Sequence, residues 1–193
     1  LAAAQAPSLP SSADPMPAPR AAPPASAPTP PAPSPAASRP AAGPETAAEA
    51  RYRACTVQVR ADADAALAAA TVWRDQGGGL LARQCMGLAL SALERWAPAA
   101  TAFEQAAREA EAAGDARRAD FWVQSGNAWV ADGQPARAIQ AFDAALLTTH
   151  LTDELRGEVH LDRARALVAL DNLVGARADL DRALQLVPAD PFA

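Results

Sequence analysis

The stretch Trp122 to Leu146, W-V-Q-S-G-N-A-W-V-A-D-G-Q-P-A-R-A-I-Q-A-F-D-A-A-L, leaves this chain few folds to choose from. Trp122, Gly126 and Trp129 stand four and three residues apart, so a helix carries all three on one face. Gly133 then ends that helix and Pro135 opens another. Ala138, Phe142, Ala145 and Leu146 place a second apolar face on the helix that follows. Small residues stand where two helices approach closely and large ones where gaps must be filled. Half of the 193 residues are hydrophobic, many of them Ala, and aromatics make up 5 %. That composition suits closely packed helices better than a β-sandwich.

This stretch resembles one tetratricopeptide repeat (TPR), whose pattern is W-x2-L-G-x2-Y, then G, then A-x3-F-x2-A-L, then P. Ser125 replaces the Leu of the pattern and His150 the closing Pro. A partial match runs from Leu80 to about Gly114. Met86, Gly87 and Leu90 fit its first helix, with Arg83 in the Trp slot. Trp96 fills the aromatic slot after the turn, Pro98 opens the second helix, and Ala99, Phe103 and Ala106 form its face. Another runs from near Gly157 to Pro188, with His160 in the Trp slot, Ala164 for Gly and Leu167 for Tyr. Leu173, Ala176, Leu180, Ala183 and Leu184 follow on its second helix. Residues 45–79 read as a degenerate cap: a helix from Glu45 to about Val59, a turn at 61–64, and a helix from Ala65 to Gln76. Gly77-Gly78-Gly79 ends it; a phosphate loop would need a strand before and G-K-[ST] after. Gly87, Gly126 and Ala164 stand 39 and 38 residues apart, against about 34 in the family, so longer second helices or connections are expected.

The resemblance implies an all-α solenoid of stacked antiparallel helix hairpins over residues 45–193, with repeats at about 80–114, 119–150 and 157–188. Asp190-Pro191 looks like the start of another helix, so the natural protein is expected to continue past Ala193. Residues 1–44 are of another kind. They hold 14 of the 18 prolines, three charges and no aromatic, a composition that cannot bury enough surface to offset chain entropy. A disordered, semi-stiff linker is expected there. Its first six residues, L-A-A-A-Q-A, are spaced like the end of a secretory signal, which points to the periplasm or another exported location, with the cytoplasm as the alternative. No apolar run of the roughly 18 residues needed to span a membrane occurs.

Several function classes are disfavoured. The net charge is −5, and the 17 basic residues are all Arg with no basic stripe, which argues against nucleic acid as the main partner. H-E-x-x-H, C-x-x-C and G-x-S-x-G are absent. His150 and His160 with Asp153, Glu154 and Asp162 are the one metal-like grouping, and their spacing reads as a solvated helix start. No catalytic residue, metal or cofactor is expected.

By the resemblance, groove-lining positions fall near Gln84, Leu88 and Ser91 in the first full repeat. They fall near Val123, Asn127 and Val130 in the second, and near Leu161, Arg165 and Val168 in the third. Asn127 would hold a ligand backbone with its amide, and Arg165 would fork onto a carboxylate. The Lys clamp of chaperone-binding members is absent. Cys55 and Cys85 fall on adjacent first helices, where the resemblance brings them within reach of a disulfide; two buried thiols are the other reading. The implied function is a non-catalytic scaffold that binds a protein or peptide in the concave groove. The alternative is a TPR arm of a larger envelope or secretion assembly, or of a multidomain enzyme.

Overall fold

A computed structural model of the chain describes residues 46–149 and 151–187. The Pro-rich segment at 1–44 with its signal-like opening, His150, and Pro188 through Ala193 lie outside the described residues. Within them stand eight α-helices and no strand: α1 (Ala47–Ala61), α2 (Ala63–Asp75), α3 (Gly79–Ala92), α4 (Trp96–Ala113), α5 (Arg118–Ala131), α6 (Pro135–Leu146), α7 (Asp153–Ala169) and α8 (Leu173–Leu186).

Capping chemistry sets where several of these begin. Thr46 opens α1 with a capping box: its hydroxyl accepts from Glu49 N at 3.2 Å, and Glu49 Oε2 accepts from Thr46 N at 2.8 Å. Asp62 closes α1 and caps α2 by accepting from Ala65 N at 2.9 Å, so α1 runs on past Val59 and α2 starts ahead of Ala65. The second helix of the next pair starts at Trp96, two residues before Pro98. Pro98 is still within the first turn, where its missing N–H costs nothing. Helix α7 starts at Asp153 rather than near Gly157, because Thr152 caps it and Asp153 and Glu154 occupy its first turn.

Five of the turns are built alike, those at Gly77 and Gly114 among them, and three recur at the repeat spacing. Between α3 and α4, Glu94 N donates to Ser91 O and Arg95 N to Leu90 O. Gly133 and Gln134 make the same pair of bonds to Val130 and Trp129, and Asp171 and Asn172 make it to Val168 and Leu167. The middle residue is left-handed each time, with φ 56° at Glu94, 71° at Gly133 and 58° at Asp171. Glu94, Gly133 and Asp171 keep the 39- and 38-residue spacing of the sequence, so the repeat is a property of the backbone as well.

Helices pack mainly in chain order, each on the next, with α1 also lying against α3 and α5 touching α7. The even-numbered helices therefore rest on the odd-numbered ones beside them. Alanine allows the close approach: Ala99, Ala106, Ala138 and Ala145 are all 0 % exposed. Phe103 and Phe142 fill the space left by glycine on the partner helix. A Cβ on Gly87 would lie 2.6 Å from Phe103 Cζ, and one on Gly126 2.7 Å from Phe142 Cδ1. In the third hairpin the corresponding Leu180 is 43 % exposed, so Ala164 fits in the glycine slot without conflict. Ser125, where the pattern has Leu, is fully buried and donates to Ala100 O at 3.0 Å, tying α5 to α4. Cys55 on α1 and Cys85 on α3 form a disulfide with Cα atoms 6.1 Å apart.

Candidate functional site

Helices α3 and α5 lie near each other over the start of α4, and a depression of about 240 Å³ opens between them. Leu88 and Ser91 line it from α3, Gln124, Asn127 and Ala128 from α5, and Trp96 and Phe103 from α4. Leu88 and Ser91 are three residues apart on one face of α3, and Gln124 and Asn127 are three apart on α5. The floor is apolar and the walls carry an amide and a hydroxyl. Asn127 is exposed, and neither its amide nor the Ser91 hydroxyl is hydrogen-bonded by its side chain among the described residues. Both can therefore meet an incoming backbone.

The sequence-derived groove residues are not all used alike. Leu88, Ser91 and Asn127 line the depression. Gln84 lies one turn away, and its Nε2 donates to Gln124 Oε1 at 3.4 Å, bridging α3 and α5. Asp120 is on the same side of α5, four residues before Gln124. Although the residue is exposed, loss of water around its carboxyl pushes it above the ordinary value, with Arg117 opposing. Val123 packs against the core, Leu161 is half-buried, and Val130 and Val168 are exposed. Arg165 is exposed too, but its guanidinium pairs with Asp162 one turn earlier.

The expectation of a solvated helix start around His160 is corrected by the packing. His160 is partly buried between α7 and α8, and Asp179, opposite it, is buried at 4 % exposure. Asp179 accepts from Arg163 Nε at 2.7 Å and lies 3.0 Å from His160 Nδ1. Burial alone would push the Asp179 carboxyl up; the hydrogen bonds from Arg163 and His160 outweigh it and hold the group below its ordinary value. An ionised carboxylate only accepts, so His160 Nδ1 carries the proton. Arg163 also reaches Asp143 on α6, and its bonds to Asp179 hold its own charge more firmly. The network fastens α6, α7 and α8 together. Asp179 is thus an acidic residue held inside the helix packing. Its signal was its place among Ala176, Leu180 and Ala183 on α8, one turn after a small core residue and one before another.

A larger cavity, of about 600 Å³, lies on the other side of α3 and α5, away from the expected groove residues. Among the described residues no group of three His, Cys, Asp or Glu side chains is placed to hold a metal ion. No helix among them is long and apolar enough to cross a membrane. No protein-family model matches the chain, and neither does any curated protein sequence.

Proposed function

We propose that residues 46–187 form a TPR-like stack of helix pairs that binds an extended peptide or partner segment across α3 and α5. The observation that carries this reading is the depression where Leu88, Ser91 and Asn127 converge, with an unengaged amide and hydroxyl over an apolar floor. The recurring turns at Glu94, Gly133 and Asp171, and the Gly-on-Phe contacts of the first two hairpins, support the resemblance to that family. Binding needs no chemistry: a stiff, disulfide-tied frame presents one donor–acceptor side chain and a hydrophobic seat to a strand-like segment. The Cys55–Cys85 bridge supports an oxidising, exported location for this scaffold.

A second reading, as an arm of a larger assembly, is favoured by one feature. Helix α8 leaves Leu173, Val174, Leu180 and Leu184 exposed, from 43 to 85 %, which suits packing against a further segment or partner. Panning a random peptide display library on the full chain tests the first reading. Wild-type protein should enrich a family of sequences that bind Asn127→Ala and Leu88→Arg at least about tenfold more weakly. Peptides that bind both variants as well as the wild type would overturn the α3–α5 assignment.

A further inference from the structure

The 600 Å³ cavity lies between α2 and α4, where the even-numbered helices rest on their odd-numbered neighbours and leave a furrow. Its lining shares no residue with the α3–α5 depression. Met86 and Leu90 face it from α3, whereas Leu88 and Ser91 face the other side. Leu67, Met86, Leu90, Ala102 and Trp129 make an apolar interior. Arg74, Arg95 and Arg137 stand around it, and no Asp or Glu contributes to the lining. In a chain of net charge −5, three guanidinium groups around one apolar cavity run against the overall balance.

These cations are only partly engaged. Arg74 pairs with Asp75 at 2.8 Å. Arg137 stacks on the Trp129 ring, with Cζ 3.4 Å from its centroid, and meets no carboxylate among the described residues. Arg95 is exposed and its side chain has no partner among them. Their positions sharpen the point. Arg95 is the N-cap of α4 and Arg137 lies in the first turn of α6; neither helix has a side-chain cap or an acidic residue in its first turn. A cation at the positive end of a helix dipole is unfavourable by itself, and an anion placed between the two removes the conflict.

We infer that this furrow binds a small anionic amphiphile, a carboxylate head on an apolar body. The head would lie between Arg95 and Arg137 and the body over Met86, Leu90 and Trp129. Arg137 is held flat by Trp129, so its outward N–H edge is positioned for a carboxylate at little further cost in side-chain freedom. The volume falls within the roughly 300–1,000 Å³ of small-molecule sites.

The test is calorimetric titration of the full oxidised chain with decanoate, decanol and decyltrimethylammonium, each below its micelle concentration. Decanoate should bind one to one, at least about tenfold more tightly than either decanol or the cation. Arg95→Gln with Arg137→Gln should lower decanoate affinity by about tenfold or more, while Arg165→Gln and Asn127→Ala leave it unchanged. Thermal melts of each variant report folding, and the three-ligand comparison on wild-type protein stands even where a variant fails to fold. Equal binding of decanol, no binding of decanoate, or undiminished affinity in the double variant would each overturn the inference. Because Asn127→Ala separates the two faces, this result is independent of the peptide-binding reading.

Discussion

Replacing Gly126 with Ala sets two effects of opposite sign against each other. Gly126 is inside α5, where a change to Ala ordinarily gains about 1 kcal/mol of helix propensity. The new methyl would lie 2.7 Å from Phe142 Cδ1 and 2.8 Å from Cζ, well inside contact distance. Phe142 is 0 % exposed, and Ala138 and Ala145, one turn to either side of it on α6, are also 0 % exposed, so the ring has no room to withdraw. Either the ring leaves its rotamer or α6 moves off α5. Overpacking of this kind costs about 1–3 kcal/mol, and a fully enclosed ring places it near the top of that range. The clash therefore wins, with a net loss of about 1–2 kcal/mol and a melting point lower by roughly 3–7 °C. Far-UV circular dichroism of the oxidised chain during thermal and urea unfolding measures it. Phe142→Leu alone should cost about 1 kcal/mol, but in its presence Gly126→Ala should become neutral or stabilising, a coupling of about 2 kcal/mol. Gly87 and Phe103 repeat the geometry one hairpin earlier and should repeat the result. If Gly126→Ala raises stability with Phe142 in place, propensity outweighs packing and the close-approach argument for both hairpins fails.

Other consequences follow from the same structure. Cys55→Ser with Cys85→Ser should lower stability by about 3–4 kcal/mol, the loop entropy of a 30-residue separation, and thiol titration of the oxidised, unfolded chain should find no free thiol. Glu94→Gly should raise stability by about 0.5–1 kcal/mol, because Glu94 has a left-handed backbone, and Gly133→Glu should lower it by about 1 kcal/mol. Opposite signs in urea midpoints would contradict the shared turn. Asp179→Asn should cost about 3 kcal/mol at neutral pH by breaking a buried charged pair. Because the folded carboxyl lies below its unfolded value of about 3.9, its contribution is complete above that pH and fades as pH falls through the folded value. The stability gap between wild type and Asp179→Asn should thus narrow in acid; a gap unchanged from pH 7 down to pH 2 would place its origin in packing rather than charge.

Helix pairing was legible where small and large residues alternate at helical spacing. Trp122, Gly126, Trp129 and Phe142 fall on buried faces because period and size both point there. Helix starts were less legible. Asp62, inside the expected turn at 61–64, ends α1 and caps α2 at once, which leaves little turn between them, and Trp96 rather than Pro98 begins α4, since proline tolerates any position of a first turn. The 39-residue spacing between Gly87 and Gly126 has a local cause, the 18 residues of α4. Between Gly126 and Ala164 the second helix is short at 12 residues. There the chain is lengthened instead by the connection after Leu146 and the early start of α7, with Arg156 closing the end of α6 through Leu146 O at 3.1 Å. His160 and Asp162 were read from their own helix alone. The hydrogen-bond partner of His160 is Asp179, on the next helix, and no local spacing reports it.

The cationic furrow was hidden for a related reason. In the repeat frame set by Gly87 and Gly126, the counterpart of Arg95 is Gln134, and that of Arg137 is Pro98. Aligning one repeat with the next therefore puts the two arginines in unrelated columns, and neither column looks basic. The turn geometry brings them together: α4 begins one residue after Arg95 and α6 one residue after Gln134, and Arg95, Trp129 and Arg137 line one cavity. The structural element that repeats is the uncapped start of the second helix; the charge that completes it comes from a cap position in one hairpin and a first-turn position in the next. In the third hairpin Asn172 supplies the cap itself, accepting from Gly175 N at 3.0 Å, and no Arg occupies the first turn of α8. Among these three second helices, the one that its own side chain caps has no cation in its first turn, and the two with a cation at the start have no side-chain cap. Guanidinium groups that meet no carboxylate beside an apolar floor are what an anionic amphiphile would require of the furrow, and they distinguish a ligand site from a gap left by imperfect packing.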